Sequence, residues 1–197
     1  MGGFLQQKGG YRKLRVYKLA EIIYDITYAF CAKYLTRGDR TIDQMIQAAR
    51  SGKQNIAEGS KAATTSVETE IKLTNVALAS LEELLLDYED YMRVRQLTRW
   101  TAQHPRFQKL REFTVSEQFL TDYRSLIDRL NDEEHANLAL TLINQSTYML
   151  RRLIERQQEM FLTKGGIREQ MTRARLTARR TSDSSDRSDK SDQSTHH

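Results

Sequence analysis

Chain breakers are nearly missing from this sequence. Pro105 is its only proline, and glycine occurs nine times in 197 residues. Both residues interrupt helices, so their scarcity favours a chain that is helical almost throughout. No run of about 18 apolar residues exists, and no membrane-spanning helix is expected. The first residues lack the apolar core of a signal peptide. A single cysteine, Cys31, excludes an intramolecular disulfide and fits a reducing, cytoplasmic setting. Because it falls on an apolar helix face, it reads as a buried structural thiol rather than a reactive one.

Catalytic signatures are missing as well. There is no glycine-rich phosphate loop, zinc-ligand spacing, nucleophile elbow or Cys–His pairing. His104 and His135 stand alone, and the closing His196-His197 pair receives no metal role. The acids Glu82, Glu83, Asp87, Glu89 and Asp90 have no histidine at ligand spacing, so they read as a solvated acidic face. No cofactor, metal or small-molecule substrate is expected, and the chain reads as a non-enzymatic binding or scaffolding protein.

The formal charge is +5, but it is unevenly placed. From Lys164 to Arg180 six basic residues stand against one acid, while the rest of the chain nearly cancels. After Thr181 the composition turns to Ser, Asp, Arg and Lys, which cannot bury enough apolar surface to order itself. Residues 164–197 are therefore expected to form a basic, then disordered, tail. Residues 1–10 are expected to be a flexible start.

Between these ends, residues 11–163 carry long apolar stripes at helical spacing. The first helix, about Tyr11 to Leu35, shows Val16, Leu19, Ile23, Ile26 and Phe30. A second stripe holds Tyr17, Tyr24, Tyr28, Cys31 and Leu35. The combined arc is wider than one bundle core needs, which makes Tyr17, Tyr24 and Tyr28 candidates for a subunit interface. After Thr36-Arg37-Gly38-Asp39, a second helix is expected from Arg40 to Glu58, rich in small residues around Gly52. Gly59 is expected just past its end, in the left-handed position. The third helix runs from about Val67 to Arg95 on Ile71, Thr74, Leu78, Leu81, Leu85, Tyr88 and Met92. A helical or irregular excursion follows over about 96–120, with Trp100, Phe107 and Phe113 among Arg99, Arg106, Lys109 and Arg111. Such a segment either stacks on nucleobases or pins itself to its own bundle. Asn131-Asp132 marks the start of a fourth helix, about Glu133 to Leu162.

The run Asn55-Ile56-Ala57-Glu58-Gly59, preceded by Ala48-Ala49 and Ser51, resembles a known family. It is the four-helix bundle family of proteins encoded in intervening sequences of bacterial 23S ribosomal RNA genes, in its four helix bundle suffix domain form. Asn75-Val76-Ala77-Leu78-Ala79-Ser80-Leu81-Glu82-Glu83-Leu84 resembles the family's third helix. Gly52-Lys53 stands where the family has Ile-Pro. The resemblance covers residues 12–95 well and the fourth helix loosely. It implies an all-α, antiparallel up-down four-helix bundle assembling as a homopentamer. A related branch comprises accessory variability proteins of diversity-generating retroelements, which bind nucleic acid and a reverse transcriptase. By implication the partners are further copies of the chain, RNA or DNA, and a reverse transcriptase; a protein-binding scaffold is the alternative. Candidate nucleic-acid contacts are Arg12, Lys13, Arg15, Lys18, Arg50, Lys53, Arg173, Arg175, Arg179 and Arg180. Asn55, Glu58 and Gly59 read as structural, the first two as a polar pair near the helix end.

Overall fold

The computed structural model describes residues 10–191. All regular structure there is helical: a 3-10 turn at Tyr11–Lys13, then α1 (Arg15–Tyr34), α2 (Arg40–Ala62), α3 (Val67–Val94), α4 (Phe107–Val115), α5 (Glu117–Ile127), α6 (Asp132–Lys164) and α7 (Ile167–Ser191). Among the described residues no helix is long and apolar enough to cross a membrane.

Local chemistry sets most boundaries. Asp39 caps α2 by accepting from the Thr41 amide at 2.9 Å, and Ser66 caps α3 by accepting from Thr69 at 3.1 Å. Asn131 opens α6 with a full capping box. Its Oδ1 accepts from the Glu134 amide at 2.8 Å, and Glu134 accepts in return from the Asn131 amide. At the end of α3 the Leu97 amide reaches back to Met92 O, and Gln96 takes a φ of 57°. That is a Schellman turn with glutamine where glycine is favoured. Gln96→Gly is therefore expected to stabilise the protein by about 0.5–1 kcal/mol, read by denaturant unfolding.

Four long helices enclose the core. α1 packs on α2 and α6, and α3 packs on α2 and α6. Hydrogen bonds fix their directions. Tyr91 reaches Asp132, while Gln157 donates to Glu70 at 3.0 Å and to Thr74 at 3.2 Å, so α3 and α6 run oppositely. Tyr34 at the end of α1 donates to Leu130 O, just ahead of α6. The core centres on Leu19, Ile23, Ile26, Phe30, Met45, Leu81, Leu84, Tyr88, Leu142 and Ile143, all with essentially no exposure. Cys31 is buried there, and burial pushes its thiol up to about 12.

Gly52 and Gly59 explain the closeness of α2 and α3. A Cβ on Gly52 would lie 2.7 Å from Leu81 Cδ2, and one on Gly59 would lie 3.4 Å from Glu70 O. This corrects the expectation for Gly59. The helix does not end there but continues to Ala62, and Gly59 has no positive φ. Gly59 faces α3 rather than a turn, and a Cβ there would only reach van der Waals contact with Glu70 and Leu73.

The excursion is a helical pair laid on the four helices. Thr98 and Trp100 donate their amides to Glu133 Oε2 and Asn137 Oδ1, at 2.9 and 2.7 Å. The indole of Trp100 donates to Glu133 Oε1 at 3.2 Å. The Thr98 amide is the chief reason the Glu133 carboxyl lies below its usual range. α4 then lies along α6, and α5 returns beside α1, burying Phe119, Tyr123 and Ile127. Arg15 donates to Val115 O, Tyr123 to Asp25 at 2.6 Å, and Lys33 to Asp128 O and Leu130 O, so α5 runs parallel to α1. The breadth of the α1 arc is thus taken up largely within the chain. The C-terminal expectation also changes: helix α7 continues through Ser191, beyond the point where disorder was expected. His196-His197 and residues 1–9 lie outside the described residues.

Candidate nucleic-acid interface

The candidate cations separate into three settings. Arg12, Lys13 and Lys18 are exposed where the chain enters α1. The Arg12 guanidinium lies 5.7 Å from the Tyr11 ring centre, and Lys61, at the end of α2, lies 5.4 Å from the same ring. Arg15 belongs to the scaffold, because its guanidinium donates to Val115 O at 2.7 Å. On α2, Arg50 is exposed, whereas Lys53 is half-buried with its ammonium 4.2 Å from the Tyr24 ring centre. Cation–π contact on one side leaves Lys53 less available to a phosphate than Arg50.

The third setting is α7. Gly165, with φ 72°, ends α6 and redirects the chain. Gly165 and Gly166 are buried, and a Cβ on Gly166 would lie 2.9 Å from Glu68 Oε1, so the root of α7 sits against the start of α3. Beyond that root α7 packs extensively on no other helix among the described residues. Arg168, Arg173, Arg175, Arg179 and Arg180 are all exposed along it, with Glu169 the one acid between Arg168 and Arg180. At 3.6 residues per turn, Arg168, Arg175 and Arg179 share a face, and Arg173 and Arg180 form a second stripe roughly a third of the way round the helix. The entry to α1, the ends of α2 and α6 and the root of α7 lie at one end of the molecule. Arg12, Lys13 and the arm therefore belong together, while Arg50 and Lys53 stand apart from them.

The tyrosines also divide. Tyr17 is buried inside the subunit, edge-on to Tyr11 at 4.7 Å between ring centres. Tyr24 is half-buried under Lys53, and only Tyr28, 59% exposed, lies open. Asn55 donates to Ser51 O at 2.9 Å and to Ser51 Oγ, which is 2.9 Å from Ser80 Oγ on α3. This linked set of polar contacts ties α2 to α3. Glu58 is no part of it: it is exposed and makes no hydrogen bond among the described residues, which corrects the expected Asn55–Glu58 pair.

The acidic face of α3 is only partly a solvated face. Glu82 pairs with Arg151 on α6, and Glu89 pairs with Arg99 at 2.6 Å. Among the described residues no group of three or more His, Cys, Asp or Glu side chains is placed to hold a metal ion. The contact of Arg15 lacked any local sequence signal, because its partner Val115 is distant in the chain. Comparison with protein-family models, with curated proteins and with solved structures finds no match for this chain.

Proposed function

We propose that this protein is a non-enzymatic, nucleic-acid-binding helical bundle whose C-terminal arm docks on the phosphate backbone. The observation that carries the reading is α7, a helix exposing five arginines against one acid between Arg168 and Arg180. Guanidinium groups on an exposed helix suit phosphate contact, and neutralising phosphates releases counterions. Arg12 and Lys13 extend the same basic end. In this reading the four long helices constitute an antiparallel up-down four-helix bundle. It assembles as a homopentamer, so five arms multiply a modest affinity. The family resemblance supports that assembly and an adaptor role toward a reverse transcriptase.

Replacing Arg173, Arg175, Arg179 and Arg180 with glutamine tests the arm. The variant is expected to bind single-stranded RNA at least tenfold more weakly at moderate salt. Its logarithmic salt slope should fall by up to about 3, with its mass in solution unchanged. Light scattering coupled to size exclusion, with and without RNA at two salt concentrations, reads both quantities. An unchanged RNA affinity removes the arm from the mechanism.

A second reading, a protein-binding scaffold, is favoured by one surface. Val76, Ala79, Leu86 and Val94 are exposed along one strip of α3. Glu83 and Asp90 are exposed on the same face, so the strip suits a partner that offers both apolar and basic side chains. A chain that ignores RNA at both salt concentrations yet retains a protein partner would favour it.

A further inference from the structure

A second surface, away from α7, combines aromatic rings with positive charge. Between residues 99–111 and α6 lies a cleft of about 610 Å³, within the size range of small-molecule sites, about 300–1,000 Å³. Arg99, Trp100, Phe107 and Arg111 line one wall, and Asn144 and Tyr148 line the other. No carboxylate lines it.

The open functional groups define what would fit. Arg99 is already paired with Glu89. Arg111 has no acidic partner among the described residues, and its guanidinium lies 5.6 Å from the Phe107 ring centre. Tyr148 is 67% exposed, and its hydroxyl makes no hydrogen bond among the described residues. Asn144 commits its amide nitrogen to Leu140 O at 2.8 Å, which leaves Oδ1 as an acceptor. His104 stacks on Trp100 at 4.9 Å with the planes only 5° apart. The indole is thus held in place by a ring on one face and by Glu133 at its nitrogen.

A purely apolar occupant would desolvate the Arg111 charge without compensation. A metal ion would find no carboxylate. A simple anion would use Arg111 but none of the rings. The occupant that uses both the rings and the charge is a flat heteroaromatic base, stacked among Trp100, Phe107 and Tyr148, that carries a phosphate for Arg111; the unpartnered Gln145 Oε1 in the lining is a further acceptor for a base N–H. Asn144 Oδ1 supplies an acceptor for a base N–H.

We propose that this cleft binds a nucleotide by base stacking and phosphate pairing, either as the free mononucleotide or as one residue of a single strand. The proposal shares with the arm reading only the premise that this chain meets nucleotides, and it stands on different residues. Trp100, the only tryptophan, makes the cleft its own optical reporter.

The experiment titrates the full chain with AMP, GMP, CMP and UMP, with a single-stranded RNA of about ten nucleotides, and with a duplex of equal length, following Trp100 emission. Quenching by the single strand but not by the duplex is expected. Arg111→Gln and Tyr148→Ala should each raise the half-saturation concentration at least about fivefold, the size expected from losing one stacking or phosphate contact. Both residues are exposed, so circular dichroism should be unchanged in the variants. Quenching by mononucleotides as well identifies the free nucleotide as a sufficient ligand; quenching by the strand alone identifies a strand site. The cleft proposal is overturned if nothing quenches, if the duplex quenches equally, or if both variants titrate like the native chain. RNA retained without quenching overturns the cleft and leaves the arm. Quenching that persists in a chain whose RNA retention ignores the arm substitutions does the reverse.

Discussion

Acidification from pH 6.5 to pH 4 is expected to remove about 3 kcal/mol of stability through one side chain, His135. Its ring is fully buried at the start of α6, edge-on to Phe30 and Tyr34 of α1. Nε2 lies 3.0 Å from Ile26 O. A carbonyl only accepts, so Nε2 carries the proton of a neutral imidazole. Nδ1 is then a buried acceptor with no partner among the described residues. Protonating it would place a charge in the core, and burial pushes the pKa down from 6.5 to about 4, with nearby Lys33 acting the same way. The hydrogen bond to Ile26 opposes this but does not outweigh it. Between these two values the unfolded chain binds a proton that the folded chain refuses. Stability from this group is therefore whole above 6.5 and is lost as pH falls toward 4, a shift equivalent to about 3 kcal/mol. Denaturant unfolding of the native chain and of His135→Leu across this window separates the effect from carboxylates common to both. The native chain should lose about 3 kcal/mol more than the variant. Parallel pH profiles would show that the imidazole titrates normally in the core.

The second large effect is expected at Gly52, and it is a coupling rather than a single loss. Gly52→Ala adds helix propensity of about 1 kcal/mol. It also drives a methyl group to 2.7 Å from Leu81 Cδ2 and 2.9 Å from Cγ. Leu81 has no exposure, so its side chain moves only by disturbing the core. Overpacking of this kind costs about 1–3 kcal/mol, which outweighs the propensity gain and leaves a net loss of up to about 2 kcal/mol. Leu81→Ala alone should cost about 2–5 kcal/mol. In the double variant the new methyl group occupies part of the space Leu81 vacates. The combined loss should then be smaller than the sum of the single losses by at least about 1 kcal/mol. Strict additivity would mean that Leu81 swings clear and that α2 and α3 do not meet where the structure places them.

Gly52 also shows what sequence carried and what it did not. A glycine in a run of small residues signals close approach, and Leu81 supplies the partner. Gly59 carried a similar signal, but a glycine after Glu58 resembles a helix terminator as much as a packing point. Only the position of Glu70 and Leu73 across the interface separates the two meanings. The stripes of α1, α3 and α6 were legible because 3.6-residue periodicity is written locally, and Asn131 announced its helix through its own cap. The excursion was not legible in the same way. Trp100 and Pro105 mark a break, but the docking of α5 on α1 rests on Tyr123–Asp25 and Arg15–Val115, contacts about a hundred residues apart. Tyr17 differs: its spacing puts it on a flank, and Tyr11, close by in the chain, folds back over that flank and buries it within the subunit. Among the candidate contacts, the Arg168–Arg180 cluster was visible as composition. Its presentation on a helix that packs extensively on no other was not, since nothing within the run says what it lies against.

The α4–α5 pair lies chiefly against α1 and α6, which gives the molecule a clad flank and a bare one. If copies assemble around a rotational axis, as proposed above, every copy turns the same flank inward. If the clad flank faces the axis, the lumen is built from the excursion and the α3 strip faces outward. If the bare flank does, Val76 and Leu86 line the ring and the Trp100 cleft opens to the outside. In such a proposed ring its polarity, rather than the number of copies in it, would decide which ligands meet which surface.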